Sequence, residues 1–177
     1  VYRLSEKAKN VVEESRSIIA DIINADRNEI FFTSGGTEGD NWAVKAESLK
    51  RKHGHIIVSS IEHHAVTESA LWLKNYGIDL TFAPVDEQGI IKLDQLEKMI
   101  RNDTFLISVM LANNEIGTIQ PIENVCEIAH EYGAKVHSDA VAAFGHIDVD
   151  VKKLGVDFLN VSGHKICGPK VIGFLDV

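Results

Sequence analysis

Lys165 stands in the sequence context that most favours covalent chemistry. It lies in the stretch SGHKICGPK, directly after His164 and ahead of a Gly-Pro turn. A lysine that is partly desolvated beside a positive neighbour has a lowered pKa and becomes a usable nucleophile. The competing interpretation is a solvated surface lysine, which is the usual environment of this residue type. Without further context, both interpretations stay open.

Asp139 ends the run AKVHSD, whose apolar residues predict a buried strand. A carboxylate in that position needs a partner, because an unpaired buried charge costs several kcal/mol. The protonated nitrogen of a pyridine ring would be such a partner, and the pairing would keep the ring an effective electron sink. The alternative is a carboxylate that caps the next helix.

The glycine-rich turn from Ser34 to Thr37 follows a predicted strand and opens a predicted helix. Backbone N–H groups at such a helix start, with the Thr37 hydroxyl as a further donor, can hold a phosphate. The turn matches neither GxxxxGK[ST] nor GxGxxG, so it gives little support to nucleotide binding. The alternative is a tight turn in which Thr37 caps the helix.

His63 belongs to a Glu-His-His run and could stack on a flat ring or transfer a proton, whereas the alternative is a solvent-facing loop histidine. His63 and His64 are not expected to share a metal ion, since adjacent residues of an extended segment point to opposite faces. Of the two cysteines, Cys126 is predicted to be a core residue, and Cys167 a packed turn residue rather than a reactive thiolate. Their spacing does not predict a metal site.

Short β-branched runs alternate with amphipathic stretches, which predicts an α/β fold. Apolar runs without alternation, such as FLISVML, are typical of strands with helices on both faces of the sheet. We therefore predict one domain, residues 1–177, with a doubly wound, mostly parallel seven-stranded sheet. The last connection is too short for a helical crossover, which favours an antiparallel last strand. The predicted strands are 29–33, 55–59, 79–84, 105–111, 134–139, 157–161 and 172–177, and the predicted helices 5–24, 38–53, 65–76, 93–100, 122–132 and 149–154.

The carboxyl ends of the predicted strands collect polar residues. In sheets of this class, ligands bind just beyond those ends. The sequence therefore predicts that the residues there form one site at one rim of the sheet. The candidates are Gly36, Thr37, His63, Asn114, Asp139, Ser162, His164 and Lys165.

The amino-acid composition disfavours several classes of binding partner. Eighteen Lys and Arg against 26 Asp and Glu give a net charge of −8, which disfavours nucleic acid and anionic lipid. Residues 1–10 contain Arg3, Lys7 and Lys9 without an apolar segment, so no signal peptide is expected, and no apolar run is long enough for a membrane span. Two cysteines are too few for a disulfide scaffold, and a cytoplasmic location is expected.

Five stretches together resemble the cysteine desulfurases, a group of class V aminotransferases that are fold-type I pyridoxal-phosphate enzymes. The stretches are FTSGGTEGDN, SSIEHHAV, ANNEIGTIQPI, VHSDAV and SGHKICGPK, which extend from Phe32 to Lys170 in the family's order and spacing. The resemblance implies the reaction of L-cysteine to L-alanine, with the sulfur passed to an enzyme cysteine as a persulfide. It also implies a homodimer and a sulfur-acceptor or scaffold protein of iron–sulfur or thiolation pathways.

The resemblance also implies a role for each candidate residue. Lys165 would form the Schiff base with pyridoxal 5'-phosphate and later move the substrate α-proton. Asp139 would pair with the pyridine nitrogen, and His63 would stack on the ring and assist proton transfer. Asn114 would contact the ring hydroxyl or the substrate. The phosphate would be held by Gly36, Thr37, Ser162 and His164.

Several features depart from the family pattern. Ala142 stands where the family usually has a glutamine that bonds the cofactor's phenolic oxygen, Cys167 where an aromatic residue is common, and Val171 where glycine is usual. Family members are also longer, and their N-terminal arm and C-terminal small domain have no counterpart here. The missing part carries the persulfide-forming cysteine and the arginine that binds the substrate carboxylate. We therefore expect this chain alone to lack desulfurase activity.

Two other functions stay open at this point. The chain could be a non-catalytic domain that binds the cofactor or is purely structural. It could also derive from a related selenocysteine lyase or class V transaminase, because the residues around Lys165 do not separate these activities, although the HHA and NNEIG stretches favour the desulfurase.

Overall fold

The structure is a computed structural model that describes residues 3–177. Helices and strands alternate along the chain, as predicted. The helices are α1 (Arg3–Ile23), α2 (Gly36–Ser48), α3 (His64–Leu73), α4 (Leu93–Met99), α5 (Ile122–Glu131) and α6 (Val151–Leu154). The strands are β1 (Ile30–Thr33), β2 (Gly54–Ser59), β3 (Ile78–Ala83), β4 (Thr104–Ser108), β5 (Lys135–Asp139), β6 (Phe158–Ser162) and β7 (Gly173–Asp176). Short 3-10 turns occupy Arg27–Glu29, Lys74–Tyr76 and Gly163–Ile166.

The strands form one seven-stranded sheet in the order β1-β7-β6-β5-β4-β2-β3. Strands β3, β2, β4, β5 and β6 are parallel to one another, whereas β7 runs antiparallel to both β6 and β1. The predicted doubly wound, mostly parallel sheet with an antiparallel last strand is confirmed. The short connection between β6 and β7 explains the reversal, because it leaves no room for a helical crossover.

Apolar cores cover both faces of the sheet. On one face, α1, α4, α5 and α6 contribute buried residues such as Ala20, Leu96 and Val125. On the other face, α2 and α3 pack through residues such as Val44 and Val66. Helix α2 comes so close to β6 that a Cβ atom at Gly39 would overlap the Asn160 side chain. This close approach fixes the start of α2 at the carboxyl edge of the sheet.

Three predicted end points are wrong by three residues or more, and one of them is the end of α3, which was predicted at 76 but lies at Leu73. The fourth strand was expected over 105–111, but β4 ends at Ser108, although the following apolar residues stay buried. Burial alone therefore did not distinguish a strand from the irregular segment that continues it. Helix α2 was expected over 38–53, but it begins at Gly36 and ends at Ser48. Among residues 3–177, no helix is long and apolar enough to span a membrane.

Candidate active site

A cavity of about 180 Å³ lies at the carboxyl edge of the sheet. Of the site residues that the sequence predicts, all except Ser162 line this cavity. The lining residues are Gly36, Thr37, Asp40, His63, Met110, Asn114, Asp139, Val141, Ala142, His164 and Lys165. Residues from five separate segments of the chain therefore meet around one small space.

Lys165 reaches the cavity from the 3-10 turn Gly163–Ile166, which directly follows β6. The turn is closed by the backbone N–H of Gly168, which donates to the carbonyl oxygen of Gly163 at 2.9 Å. A Cβ atom at Gly168 would lie 2.8 Å from that oxygen, so a larger residue does not fit. Lys165 itself is exposed, which leaves its amine accessible from the cavity mouth.

Ser162 supports the site from behind. It is 2% exposed, and its Oγ lies 2.7 Å from Nδ1 of His164. This contact fixes the imidazole of His164, which lines the cavity beside Lys165. Ser162 thus contributes through His164 rather than at the cavity wall.

The start of α2 forms the opposite side of the cavity. Gly35 precedes the helix with a φ of 145°, a value that side-chain-bearing residues rarely adopt, and it occupies the N-cap position. The interpretation of Thr37 as the helix cap is therefore wrong. The N–H groups of the first turn have no partner within the helix and are available to an anion. Gly36 and Thr37 lie in that turn and line the cavity.

Asp139 is 4% exposed and closes the cavity at the end of β5. Burial and, next, the neighbouring carboxylate of Asp40 together raise the pKa of Asp139 to about 7, against a hydrogen bond of 2.8 Å from the N–H of Val141. The chain after Asp139 forms turns until α6 begins at Val151, so the interpretation of Asp139 as a helix cap is wrong. To be ionised near neutral pH, a carboxyl whose charge is this costly needs a cationic partner inside the cavity.

His63 borders the cavity from the start of α3. It is exposed and lies at the N-cap of α3, where its Nδ1 accepts a hydrogen bond of 3.1 Å from the N–H of Ala65. That bond requires the ring hydrogen to be on Nε2 when the imidazole is neutral. The ring of His63 therefore has a defined orientation and tautomer where it borders the cavity.

Asn114 lies on an exposed loop that the buried residue Asn113 anchors. The side chain of Asn113 donates to the carbonyl oxygen of Ile61 at 3.0 Å and accepts from the N–H groups of Glu115 and Ile116. Sequence reasoning named Asn114 and missed the role of Asn113. The Asn-Asn pair was the available signal, since asparagine side chains commonly bond the backbone two residues on.

Asp40 and Glu62 are further polar residues that sequence reasoning missed. Asp40 follows Gly36 by one helical turn, so it lies on the same side of α2 and also lines the cavity. Oε1 of Glu62 accepts hydrogen bonds from Ser59 and from the N–H of Met110, while its Oε2 is buried without a partner among the described residues. Glu62 thus fixes the segment that carries Met110 to the cavity.

The two cysteines lie away from the cavity lining. Cys126 is 3% exposed in the core on α5, as predicted, and burial raises the pKa of its thiol to about 12. Cys167 is exposed, so the expectation of a packed turn residue is wrong. It ends the 3-10 turn in the left-handed conformation, with a φ of 61°. Across the described range 3–177, no three His, Cys, Asp or Glu side chains are placed to share a metal ion.

The donor set fits pyridoxal phosphate. The first turn of α2 suits the phosphate, the buried carboxyl of Asp139 suits a protonated ring nitrogen, and the amine of Lys165 suits the aldehyde carbon. Ala142 also lines the cavity, where its methyl group offers no hydrogen bond to the ring oxygen. The residues present would therefore hold the cofactor with one polar contact fewer than the family pattern implies.

Comparisons with known proteins agree with this site. The sequence model described as aminotransferase class-V matches residues 1–177. The protein named cysteine desulfurase IscS of Methanosarcina thermophila is 50% identical over 177 residues, which are 99% of this chain and 44% of that protein. The protein of the same name from Clostridium botulinum strain Hall is 46% identical over 177 residues, which are 99% of this chain and 45% of that protein.

A solved structure described as SspA in complex with cysteine superposes with a TM-score of 0.96 at 42% identity. The match covers 100% of this chain and 52% of the other chain. The chain thus spans about half the length of the relatives that it matches.

Proposed function

This chain belongs to the aminotransferase class-V family, and we propose that it is the pyridoxal-phosphate-binding large domain of a cysteine desulfurase. The observation that carries the proposal is the meeting of Lys165, Asp139 and the first turn of α2 around one cavity. These three features match the aldehyde, the ring nitrogen and the phosphate of a single small molecule. The similarity to proteins named cysteine desulfurase supports L-cysteine as the substrate.

Each residue of the site would have a distinct task. Gly36, Thr37 and His164 would bind the phosphate, and Asp139 would hold the ring nitrogen in its protonated form. When bound, pyridoxal phosphate would supply an electron sink for the bond that breaks at the substrate α-carbon. Lys165 would bond the cofactor at rest and would later take the α-proton of L-cysteine.

His63 would assist this proton transfer. Its ring borders the cavity with the hydrogen on Nε2, because Nδ1 is occupied by the N–H of Ala65. Nε2 would therefore be the nitrogen that faces the reacting groups, and the ring face would stack on the cofactor. Asn114 would contact the ring hydroxyl or the substrate from the loop opposite.

The sulfur would pass to a thiolate as a persulfide, leaving L-alanine. Neither Cys126 nor Cys167 lines the cavity, so the accepting thiol would come from another segment or chain. This same observation favours a second candidate, a domain that binds the cofactor without completing the reaction. Ala142 also favours this second candidate, because it would offer one polar contact fewer to the cofactor ring.

Homodimer formation and contact with a sulfur-acceptor or scaffold protein are part of the proposal, as is a cytoplasmic location. They rest on the family resemblance. An exposed aromatic surface adjoining the cavity mouth supports the homodimer: the groove past Thr37 and His63 continues over Lys45 and Trp72. Trp72 is 37% exposed, and its ring centroid lies 4.2 Å from that of Tyr76, which is 50% exposed; the two rings are tilted by 39°.

Covalent capture of the cofactor by Lys165 tests the proposed function. We expect added pyridoxal phosphate to give an absorbance band that Lys165→Ala abolishes, because only a lysine amine at the cavity bonds the aldehyde. Borohydride reduction followed by peptide mass spectrometry should find the pyridoxyl group on Lys165.

Lys170→Ala is the matched control, since Lys170 is also exposed and lies in the same turn but does not line the cavity. It should leave the band unchanged. Labelling of Lys170, or no labelling of the chain, would contradict the proposal.

A further inference from the structure

Asp40 and His137 form a buried pair directly behind Asp139. His137 is 0% and Asp40 1% exposed, and the distance from His137 Nε2 to Asp40 Oδ1 is 3.4 Å. His137 lies two residues before Asp139 on β5, so both side chains project from the same face of the sheet. Helix α2 brings Asp40 against that face. None of the roles assigned above uses His137.

The contacts on either side of this pair indicate where its hydrogen atoms lie. Asp40 Oδ1 accepts a hydrogen bond of 2.7 Å from Nδ2 of Asn160, so it acts as an acceptor. On the other side, His137 Nδ1 lies 2.8 Å from the hydroxyl oxygen of Ser108, and that hydroxyl can donate to it. This arrangement leaves the ring hydrogen for Nε2, which faces the acceptor Oδ1 of Asp40. At 3.4 Å the Nε2 atom makes no hydrogen bond among the described residues, so its contact with Asp40 is electrostatic.

Asp40 and His137 act on Asp139 in opposite directions. Burial raises the pKa of Asp139 most, the negative charge of Asp40 raises it further, and His137 lowers it. Glu62 is a third enclosed carboxyl nearby, and the charges of Asp139 and Asp40 both raise its pKa. Three acidic groups therefore lie close enough to affect one another, and no lysine or arginine is ion-paired with any of the three among the described residues.

The cavity side adds three basic groups. His63, His164 and Lys165 line the wall that Asp139 shares. In the proposed complex, Lys165 is bonded to the cofactor and His164 faces the phosphate, so neither pairs with the carboxyl of Asp139. The offset to Asp40 must then come from the protein interior, where His137 is the basic group that faces Asp40.

We propose that His137 is a positioning residue: by holding a hydrogen against Asp40 it offsets that carboxylate, so that Asp139 stays ionised and the shared proton stays on the cofactor's ring nitrogen. The inference rests on the proposed function, since it concerns the ring that the cavity would bind. Without the offset, the charge of Asp40 would favour a neutral Asp139 and an unprotonated ring. The ring would then be a weaker electron sink.

The ring nitrogen itself provides the readout. With pyridoxal phosphate labelled with ¹⁵N in the ring, the nitrogen resonance distinguishes a protonated pyridinium from a neutral pyridine. We expect the pyridinium resonance in the unsubstituted protein and a displacement toward the neutral resonance in His137→Leu. One pKa unit corresponds to about a tenfold change in the ratio of the two forms, and we expect a change of that order.

A double variant and a matched control separate this role from a structural one. His137→Leu/Asp40→Asn removes the uncompensated carboxylate as well, so the pyridinium resonance should return. His55→Leu makes the same substitution at a histidine of β2, a strand that is not adjacent to β5. His55 is 1% exposed, and its two ring nitrogens contact the hydroxyl groups of two threonines. This variant should be less stable than the unsubstituted protein, but its ring nitrogen resonance should be the same. If His137→Leu does not fold, His137→Asn carries the same test, because its shorter side chain does not reach Asp40.

The possible results distinguish this inference from the proposed function. A protein that binds no pyridoxal phosphate would overturn both. A protein that binds it, but whose ring nitrogen resonance is the same in His137→Leu as in the unsubstituted chain, would overturn the role of His137 alone. Equal displacement in His137→Leu and in the double variant would also overturn it, since the effect would then not depend on the charge of Asp40.

Discussion

Three buried carboxyl groups make the free energy of unfolding of this chain depend on pH. Burial raises the pKa of Glu62 to about 8, and it raises the pKa of Asp139 and of Asp176 to about 7. Below its ordinary pKa, each group is protonated in the folded and the unfolded chain. As the pH rises toward the folded-state value, the unfolded chain releases the proton first. The free energy of unfolding therefore falls as the pH rises through this range.

Glu62→Gln tests this dependence at the group with the highest of the three values. The amide oxygen still accepts from Ser59 and from the N–H of Met110, but it carries no titrating proton. We expect the free energy of unfolding to fall less steeply between the ordinary value of 4.5 and about 8 than in the unsubstituted chain. Urea denaturation at a series of pH values measures the slope. The exposed Glu115→Gln is the control, and an equal flattening there would contradict this explanation.

Sequence reasoning identified most polar residues that line the cavity, but it missed Asp40, which also lines it, and His137. Lys165, His63 and Asp139 follow strands, so the rule for parallel sheets points to them directly. His137 and Asp40 lie inside a strand and a helix, where a single polar residue has no local signature. Only the packing of α2 against β5 brings them together. Periodicity could have placed His137 on the face of Asp139, but not Asp40 beside it.

The turn between the 3-10 segment Gly163–Ile166 and β7 contains backbone strain. Cys167 and Val171 both have a φ of 61°, in the left-handed region that favours glycine. Val171 is β-branched and 79% exposed, so no packing of its side chain offsets the strain. The family resemblance places a glycine at this position, and the φ value gives the physical reason.

Val171→Gly should therefore stabilise the chain. The left-handed conformation costs a side-chain-bearing residue about 1–2 kcal/mol, part of which the greater freedom of glycine in the unfolded chain cancels. We expect a net gain of about 0.5–1 kcal/mol in the free energy of unfolding, measured by urea denaturation. Val12→Gly, at an exposed position of α1, should instead destabilise the chain, because glycine disfavours a helix. A loss of stability in both variants would show that the turn is not strained.

The predicted elements agree with the structure in kind and order, and they differ at their ends. The last strand was predicted over 172–177 and spans Gly173–Asp176, so it is shorter by one residue at each end. Helix α2 ends five residues early because residues 49–53 form a turn and an irregular link ahead of β2. Its amphipathic pattern continues through Leu49, so the sequence carried no stop signal before Gly54. End points depend on tertiary contacts, whereas the alternation of elements depends on local pattern.

On the scale of the whole molecule, we expect the 177-residue chain to release no sulfide from L-cysteine. Sulfur transfer needs a thiolate placed at the substrate sulfur, and a misplacement of about 1 Å can cost about a hundredfold in rate. Cys126 is enclosed in the core, and Cys167 lies outside the cavity lining. A sulfide assay with pyridoxal phosphate, L-cysteine and a reductant measures the outcome. Cys167→Ser should give the same result, whereas turnover that this substitution abolishes would make Cys167 the sulfur acceptor.

The pairing of β1 with β7 also determines when the site can form during synthesis. Ile30 pairs with Asp176 and Thr33 with Gly173, so β1 finds its neighbour in the sheet only after β7 has been made. Closing so long a loop is slow, since its entropic cost precedes the contacts that repay it. The glycine turn after β1 and the segment that carries Lys165 are therefore joined late. The proposed binding of pyridoxal phosphate would then follow this pairing rather than guide it.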